Sequence, residues 1–360
     1  MKGIAMKLLF VLFAIVQLSY GAINKYWHVA SDGTGNTTEG TTWATAINCD
    51  SLMHILVNDV VAGDVFYIKS GTYTPSGSID FSARDGSAIS PIAFIGIKAT
   101  TTNEGSAIDS TDWAHTTERP LLALGTNNYL TSDYCRTRNI SIQGTTANNY
   151  YCGSYNTVIC CKFDNNYGSA AARYGLRTST GCIVIGCEFV SSGGYGSGLN
   201  TGGSNRVLFN YFHDMVDGTA GVGVNVGSTV NTIAFNKFVK CRIGITSAAQ
   251  SNSTYINNTF FACTTSINAT TDYGVCVINN ILDSSKTDGM KWGTQTDANI
   301  YMKNHGADAR NNDMWDGVDE STCFKDYSAT TGDPLFTNSG SYDFSLQAGS
   351  PCLNTGIEAP

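Results

Sequence analysis

Between Asn156 and Ser284 one pattern of polar and apolar positions keeps returning. A polar residue or Cys, any residue, then a large apolar residue recurs as Cys161-x-Phe163, Cys187-x-Phe189, Asn210-x-Phe212, Asn236-x-Phe238, Asn258-x-Phe260 and Asn280-x-Leu282. The first positions lie 26, 23, 26, 22 and 22 residues apart. An apolar pair or alternation precedes each phrase, as in Val158-Ile159, Ile183 with Ile185, and Val277-Ile278. A second apolar beat follows small residues at Gly175-Leu176, Gly198-Leu199, Gly223-Val224, Gly244-Ile245 and Ser266-Ile267. A unit this short cannot bury a core alone, so it has to stack on its own copies.

The pattern predicts an all-β solenoid, a parallel β-helix of about eight to ten coils, each repeat making one circuit of short strands. Equivalent residues then lie about 4.8 Å apart in ladders. An Asn amide donates to the coil on one side, accepts from the other, and tolerates corner conformations. Asn210, Asn236, Asn258 and Asn280 should form one internal ladder, continued by Cys161 and Cys187. Upstream, Tyr26 to Val29 reads as a strand, while Ile47, Leu52, Ile55, Leu56 and Val60 recur at helical spacing. A helix near residues 45–61, with Gly63 as its C-cap, would cover the open end of the core.

Four segments follow: 1–21 as a signal peptide, 22–64 as an N-terminal strand and helical cap, 65–284 as coils, and 285–360 as a long excursion and closing segment. Lys2 and Lys7 precede the apolar run Leu8 to Val16, with cleavage expected after Gly21. That run falls short of the roughly 20 residues needed to span a bilayer, so a secreted or cell-surface protein with no remaining membrane span is expected.

A net charge of −8 with 14% charged residues lacks the basic stripe that nucleic acid would require. Twelve cysteines in an exported chain point to disulfides. Register pairs Cys161 with Cys187 and Cys241 with Cys263 on adjacent coils, either as bridges or as stacked thiols packed as small apolar groups. Cys135 with Cys152 and Cys323 with Cys352 are further candidate pairs.

Trp43-Ala44-Thr45-Ala46 and the run from Ala62-Gly63-Asp64 to Gly71-Thr72-Tyr73 resemble the opening of secreted right-handed parallel β-helix proteins of the pectate-lyase-like superfamily. Ser90 to Gly96 is similar to their second coil, and Asp333-Pro334-Leu335-Phe336, Tyr342 to Leu346 and Gly349 to Gly356 resemble their closing segment. These are cap and turn motifs, which specify architecture rather than activity.

The resemblance implies a Lys or Arg base that takes the C5 proton of a uronic acid, beside carboxylates holding Ca2+, on one column of strands. That column is assigned to the Leu176, Leu199, Val224, Ile245 and Ile267 strands. Its loops supply Lys240 or Arg242 as base, His213 as an auxiliary group, and Asp214 and Asp217 as calcium ligands. Arg173, Arg177, Asn200 and Asn225 are the candidate substrate contacts. The simpler alternative makes the charged residues solvated cross-coil ion pairs. The function implied is binding and cleavage of polysaccharide; the alternative is a noncatalytic adhesin-type or phage-associated β-helix that binds a cell-surface glycan. The site is expected in the lateral groove fed by the loops after Phe163, Phe189, Phe212 and Phe238.

Overall fold

The computed structural model describes residues 23–350 apart from 36–38, 145–147, 166–172, 193–195, 217–220, 229, 248–251, 270–274, 284–287, 293–299, 303–311, 314–323, 326–334 and 339–342. The signal segment, Asp217, Cys323 and Cys352 therefore lie outside the described residues.

Each repeat contributes one strand to each of three long parallel sheets. Sheet A has 12 strands, sheet B 9 and sheet C 10. In a middle coil, Arg206–Leu208 lies in sheet A, Tyr211–His213 in sheet B and Val222–Val226 in sheet C. Phe189 pairs with Phe212 and Phe212 with Phe238 in parallel register, as a stack of coils requires. Pairing continues past residue 284, because Asp288–Trp292 adds to sheet C and Ile300–Met302 to sheet A.

The lumen is filled by three columns, one per sheet. Val158, Val184, Val207, Ile233, Tyr255 and Val277 line it from sheet A, and Leu176, Leu199, Val224, Ile245 and Ile267 from sheet C, all fully buried. Sheet B contributes Phe163, Phe189, Phe212, Phe238 and Phe260, whose rings stack with centroids 5.0, 4.6, 4.9 and 4.8 Å apart. Coil spacing matches the ring-to-ring distance, so each phenyl covers the next without a void.

At all three corners the chain turns by the same device: one residue in the left-handed region, then one buried residue pointing inward. Phe209 (φ +56), Phe235 (+59) and Asn257 (+55) turn sheet A into sheet B. Asp214 (+55), Lys240 (+51) and Ala262 (+53) turn sheet B toward sheet C, and Tyr155, Ser204 and Val230 turn sheet C back to sheet A.

After the first corner comes the expected ladder. Asn210 Nδ2 donates to Val184 O (3.0 Å), Asn236 Nδ2 to Val207 O (2.8 Å) and Asn258 Nδ2 to Ile233 O (2.9 Å), while each Oδ1 accepts from the coil before. Cys187 continues the series by donating its thiol to Val158 O at 3.6 Å. A second ladder, Asn156, Cys182, Asn205, Asn231 and Ser253, lines the corner before sheet A; Cys182 N donates to Asn205 Oδ1 (2.7 Å) and Asn205 N to Asn231 Oδ1 (3.0 Å).

Cys161, Cys182 and Cys187 take polar ladder positions, and the described cysteines are free thiols rather than disulfides. Cys161 and Cys187 are neighbours on adjacent coils, as are Cys241 and Cys263, so the stacked-thiol alternative is the one observed. Their sulfurs point at backbone carbonyls, for example Cys161 at Ile159 O (3.4 Å) and Cys241 at Phe212 O (3.7 Å), which a bridged sulfur would leave unsatisfied. Cys135 and Cys152 are likewise unbridged.

The cap is an α-helix, Cys49–Asn58, with the Asn48 side chain accepting from Ser51 N at 2.9 Å. Leu52, Ile55 and Leu56 turn into the lumen. The expected C-cap is displaced: Asp59 and Val60 both close on Ile55 O, and Gly63 (φ +91) instead serves the following turn, where Asp64 N meets Val61 O. Near the other end, the antiparallel hairpin Phe336–Asn338 and Asp343–Leu346 lies on the outside of sheet B. There Phe336 and Phe344 pack with Val239, Tyr211, Phe261 and Ile281.

Candidate functional site

Leu176, Leu199 and Val224 point into the lumen, so by alternation the residue after each points out of sheet C. Pairing sets these residues in one row: Tyr151, Arg177, Asn200, Asn225, Thr246 and Asn268, each beside the next. Arg177 is exposed and its guanidinium carbon lies 5.4 Å from the centre of the Tyr151 ring. Asn225 Nδ2 donates to the hydroxyl of Tyr174 at 2.7 Å, bracing the row from two coils away. The Oδ1 of Asn268 has no hydrogen-bond partner although it is buried, leaving an acceptor unspent.

The residues just before the sheet C strands form an edge column. Ser197 N donates to Arg173 O, Ile243 N to Gly221 O and Thr265 N to Arg242 O, which places Arg173, Gly196, Gly221, Arg242 and Thr264 in sequence along it. Arg173 and Arg242 thus stand three coils apart, about 14 Å at the usual strand spacing, separated by two residues without side chains. Lys240 occupies the left-handed corner two residues before Arg242 and is the equivalent of Asp214 one coil earlier, as Asp214 N to Val239 O and Lys240 N to Phe261 O establish.

His213 and Asp214 belong to a different cluster, at the end of sheet B. His213 Nδ1 meets Asp214 Oδ2 at 2.8 Å and its Nε2 meets Glu188 Oε1 at 3.3 Å. Lys162 Nζ bonds the same Glu188 oxygen at 2.9 Å, and Arg119 Nη1 stands 4.0 Å from the other. Burial works against a charged imidazole, but the bonds to Glu188 and Asp214 outweigh it and raise the pKa of His213. The hydrogen bond from His213, opposed by burial and assisted by Lys162, lowers Glu188 to about 2. A carboxylate oxygen on each ring nitrogen favours the protonated imidazole, and both nitrogens are engaged within this cluster.

The structure therefore joins Arg173, Arg177, Asn200, Asn225 and Arg242 along sheet C and its edge, puts Lys240 on the adjoining corner, and sets His213 and Asp214 on the neighbouring sheet. Sequence reasoning missed Arg119 and Lys162 as members of these clusters. Lys162 was legible from register, since it pairs with Glu188; Arg119 comes from a long excursion between sheets A and B and carries no periodic signal. The tyrosines divide as well: Tyr150 is buried against Tyr129, Tyr151 faces out, and Tyr155 is exposed on Tyr134.

Calcium takes six to eight oxygens, with carboxylates supplying the charge. The described row from Tyr151 to Asn268 holds none, Asp214 Oδ2 is bonded to His213, and Glu188 Oε1 is bonded to His213 and Lys162. Among the described residues no group of three or more His, Cys, Asp or Glu side chains could hold a metal ion, so the residues present there do not fit a calcium site; Asp217 lies outside them.

The three parallel sheets define a parallel β-helix. No protein-family model matches the sequence, and no curated protein matches it. Among solved structures, pectate lyase Pel9A is similar with a TM-score of 0.52 at 13% identity, over 94% of this chain and 93% of that one. A mannuronic acid specific family 6 polysaccharide lyase from human gut microbiota gives 0.49 at 12%, over 78% and 74% of the chains. A rhamnogalacturonan lyase gives 0.45 at 14%, again over 78% and 74%. At such identities the likeness is one of fold. Among the described residues no helix is long and apolar enough to cross a membrane.

Proposed function

We propose that this protein binds an acidic polysaccharide laid along the outer face of sheet C. The observation that carries the reading is the row of amide, hydroxyl and guanidinium side chains from Arg177 to Asn268, one per coil, with Arg173 and Arg242 on its edge. Amides and hydroxyls offer both donors and acceptors to sugar hydroxyls, and guanidinium pairs with carboxylates. The acidic polymer named for pectate lyase Pel9A supports the same ligand class.

A lyase reading of this face has its own support, because Lys240 and Arg242 stand on the corner and edge that lead into sheet C. In that reading one of them removes the C5 proton of the bound uronate. Gel retardation in pectate, alginate and neutral glucans tests the first reading: retention is expected on the acidic polymers, and migration unchanged on all of them sinks it. Absorbance of unsaturated product tests the second. Lys240→Ala or Arg242→Ala should abolish it with circular dichroism unchanged; absence of product with every uronate leaves a binder.

A further inference from the structure

The charge on this face is supplied by the chain itself. Arg173, Arg177 and Arg242 bring three guanidinium groups to sheet C and its entry edge, and the middle of the outward row, from Tyr151 to Asn268, offers no carboxylate to recruit a divalent cation; Asp80 and Asp313 share its register only two coils beyond either end. Of the two carboxylates assigned to calcium from sequence, Asp217 lies outside the described residues and Asp214 is already engaged. Asp214 is bound to His213, and beyond it Glu188 is bonded to His213 and faces Lys162 and Arg119, so a divalent ion there would meet two permanently cationic side chains. Repulsion of that kind works against what a half-exposed carboxylate such as Asp214 would contribute.

We propose that this face holds its anionic polysaccharide without calcium, with Arg177 and the edge arginines supplying the positive charge that a bound divalent ion would otherwise provide. The proposal rests on the polysaccharide-binding reading for its ligand, but its statement about calcium stands on the donor set alone. A guanidinium differs from an ion in being permanently placed and insensitive to chelators. It also makes binding weaken steeply with monovalent salt, since exposed charges are screened.

The experiment has two arms on the full chain. In the first, thermal unfolding is followed with the calcium ion alone and with chelator, no polysaccharide present. The midpoint should be the same in both; a rise of several degrees with calcium that Asp214→Asn or Asp217→Asn removes would overturn the proposal, whether or not any polysaccharide binds. In the second, isothermal titration with pectate and alginate oligosaccharides is run at fixed ionic strength with calcium or with chelator. Affinities should agree within twofold, and Arg177→Gln and Arg242→Gln should each weaken binding about tenfold while Arg177→Lys keeps part of it. Binding that vanishes in chelator and returns with calcium overturns the proposal. No binding in either buffer overturns the ligand reading and is distinguishable, because the first arm still reports on calcium.

Discussion

Single residues at the corners explain why the coils are both regular and tolerant. A left-handed residue costs roughly 1–2 kcal/mol when it bears a large side chain, yet Phe209 and Phe235 hold that conformation where Asn139, Gly186 and Asn257 stand in other coils. What makes the corner worth keeping is the buried residue after it. Asn236 accepts from the backbone and amide of Asn210 and donates to Val207 O. Asn236→Leu strands those groups in the lumen and should lower stability by about 1–3 kcal/mol in denaturant unfolding; an unchanged midpoint would show that the ladder carries no net stability.

His28 makes a second residue-scale case. It is fully buried, with Nδ1 on Gly40 O (3.2 Å) and Nε2 accepting from Gly105 N (3.3 Å), so it ties two N-terminal loops together in its neutral form. Burial lowers its pKa, against the Gly40 bond and the charge of Glu104 that raise it. A lowered folded pKa means the stabilisation is complete above the ordinary value of 6.5 and is lost as pH falls through the folded value. Melting temperatures measured from pH 8 to 5 should therefore decline below about 6.5, and His28→Gln should flatten that limb.

At the scale of elements, the two faces of sheet B illustrate how similar aromatic residues do different work. Phe212 and its stack fill the lumen, while Phe344 arrives from the hairpin and covers Val239 and Phe261 from outside, with Lys237 Nζ 5.6 Å from its ring centre. Burial of Phe344 is worth about 1.5–3 kcal/mol, but it holds the hairpin and not the coils. Phe344→Ala should raise amide exchange in 336–346 while leaving Phe212 and Phe238 strand amides protected; loss of protection throughout would make the hairpin integral to the solenoid.

For the whole molecule, a solenoid is stable through contacts between neighbouring coils, so its open end needs cover. The helix Cys49–Asn58 supplies it at the N-terminal end by placing Ile55 and Leu56, both fully buried, over the first coils. The hairpin occupies the outside of sheet B around Val239 and Ile281, while the row on sheet C runs over successive coils from Tyr151 to Asn268. A polymeric ligand aligned with the coils meets the same polar chemistry at each step, which a compact pocket would not provide.

The amino-acid sequence by itself determined the repeat, the inward phenylalanines, the Asn ladder with its Cys continuation and the capping helix. Each rests on local period and residue type, and a one-residue slip would have exposed the whole apolar set. Register also placed Arg177, Asn200 and Asn225 in one row and Asp214 opposite Lys240. The tertiary structure alone decided what depends on corners and excursions: Arg119 reaches Glu188 from an aperiodic segment, His213 binds two carboxylates, and the stacked thiols stay unbridged with their sulfurs on backbone carbonyls. The reason is physical. Spacing fixes which coil and which face a residue occupies, whereas charge state and hydrogen-bond partners depend on groups that only folding brings within a few ångströms.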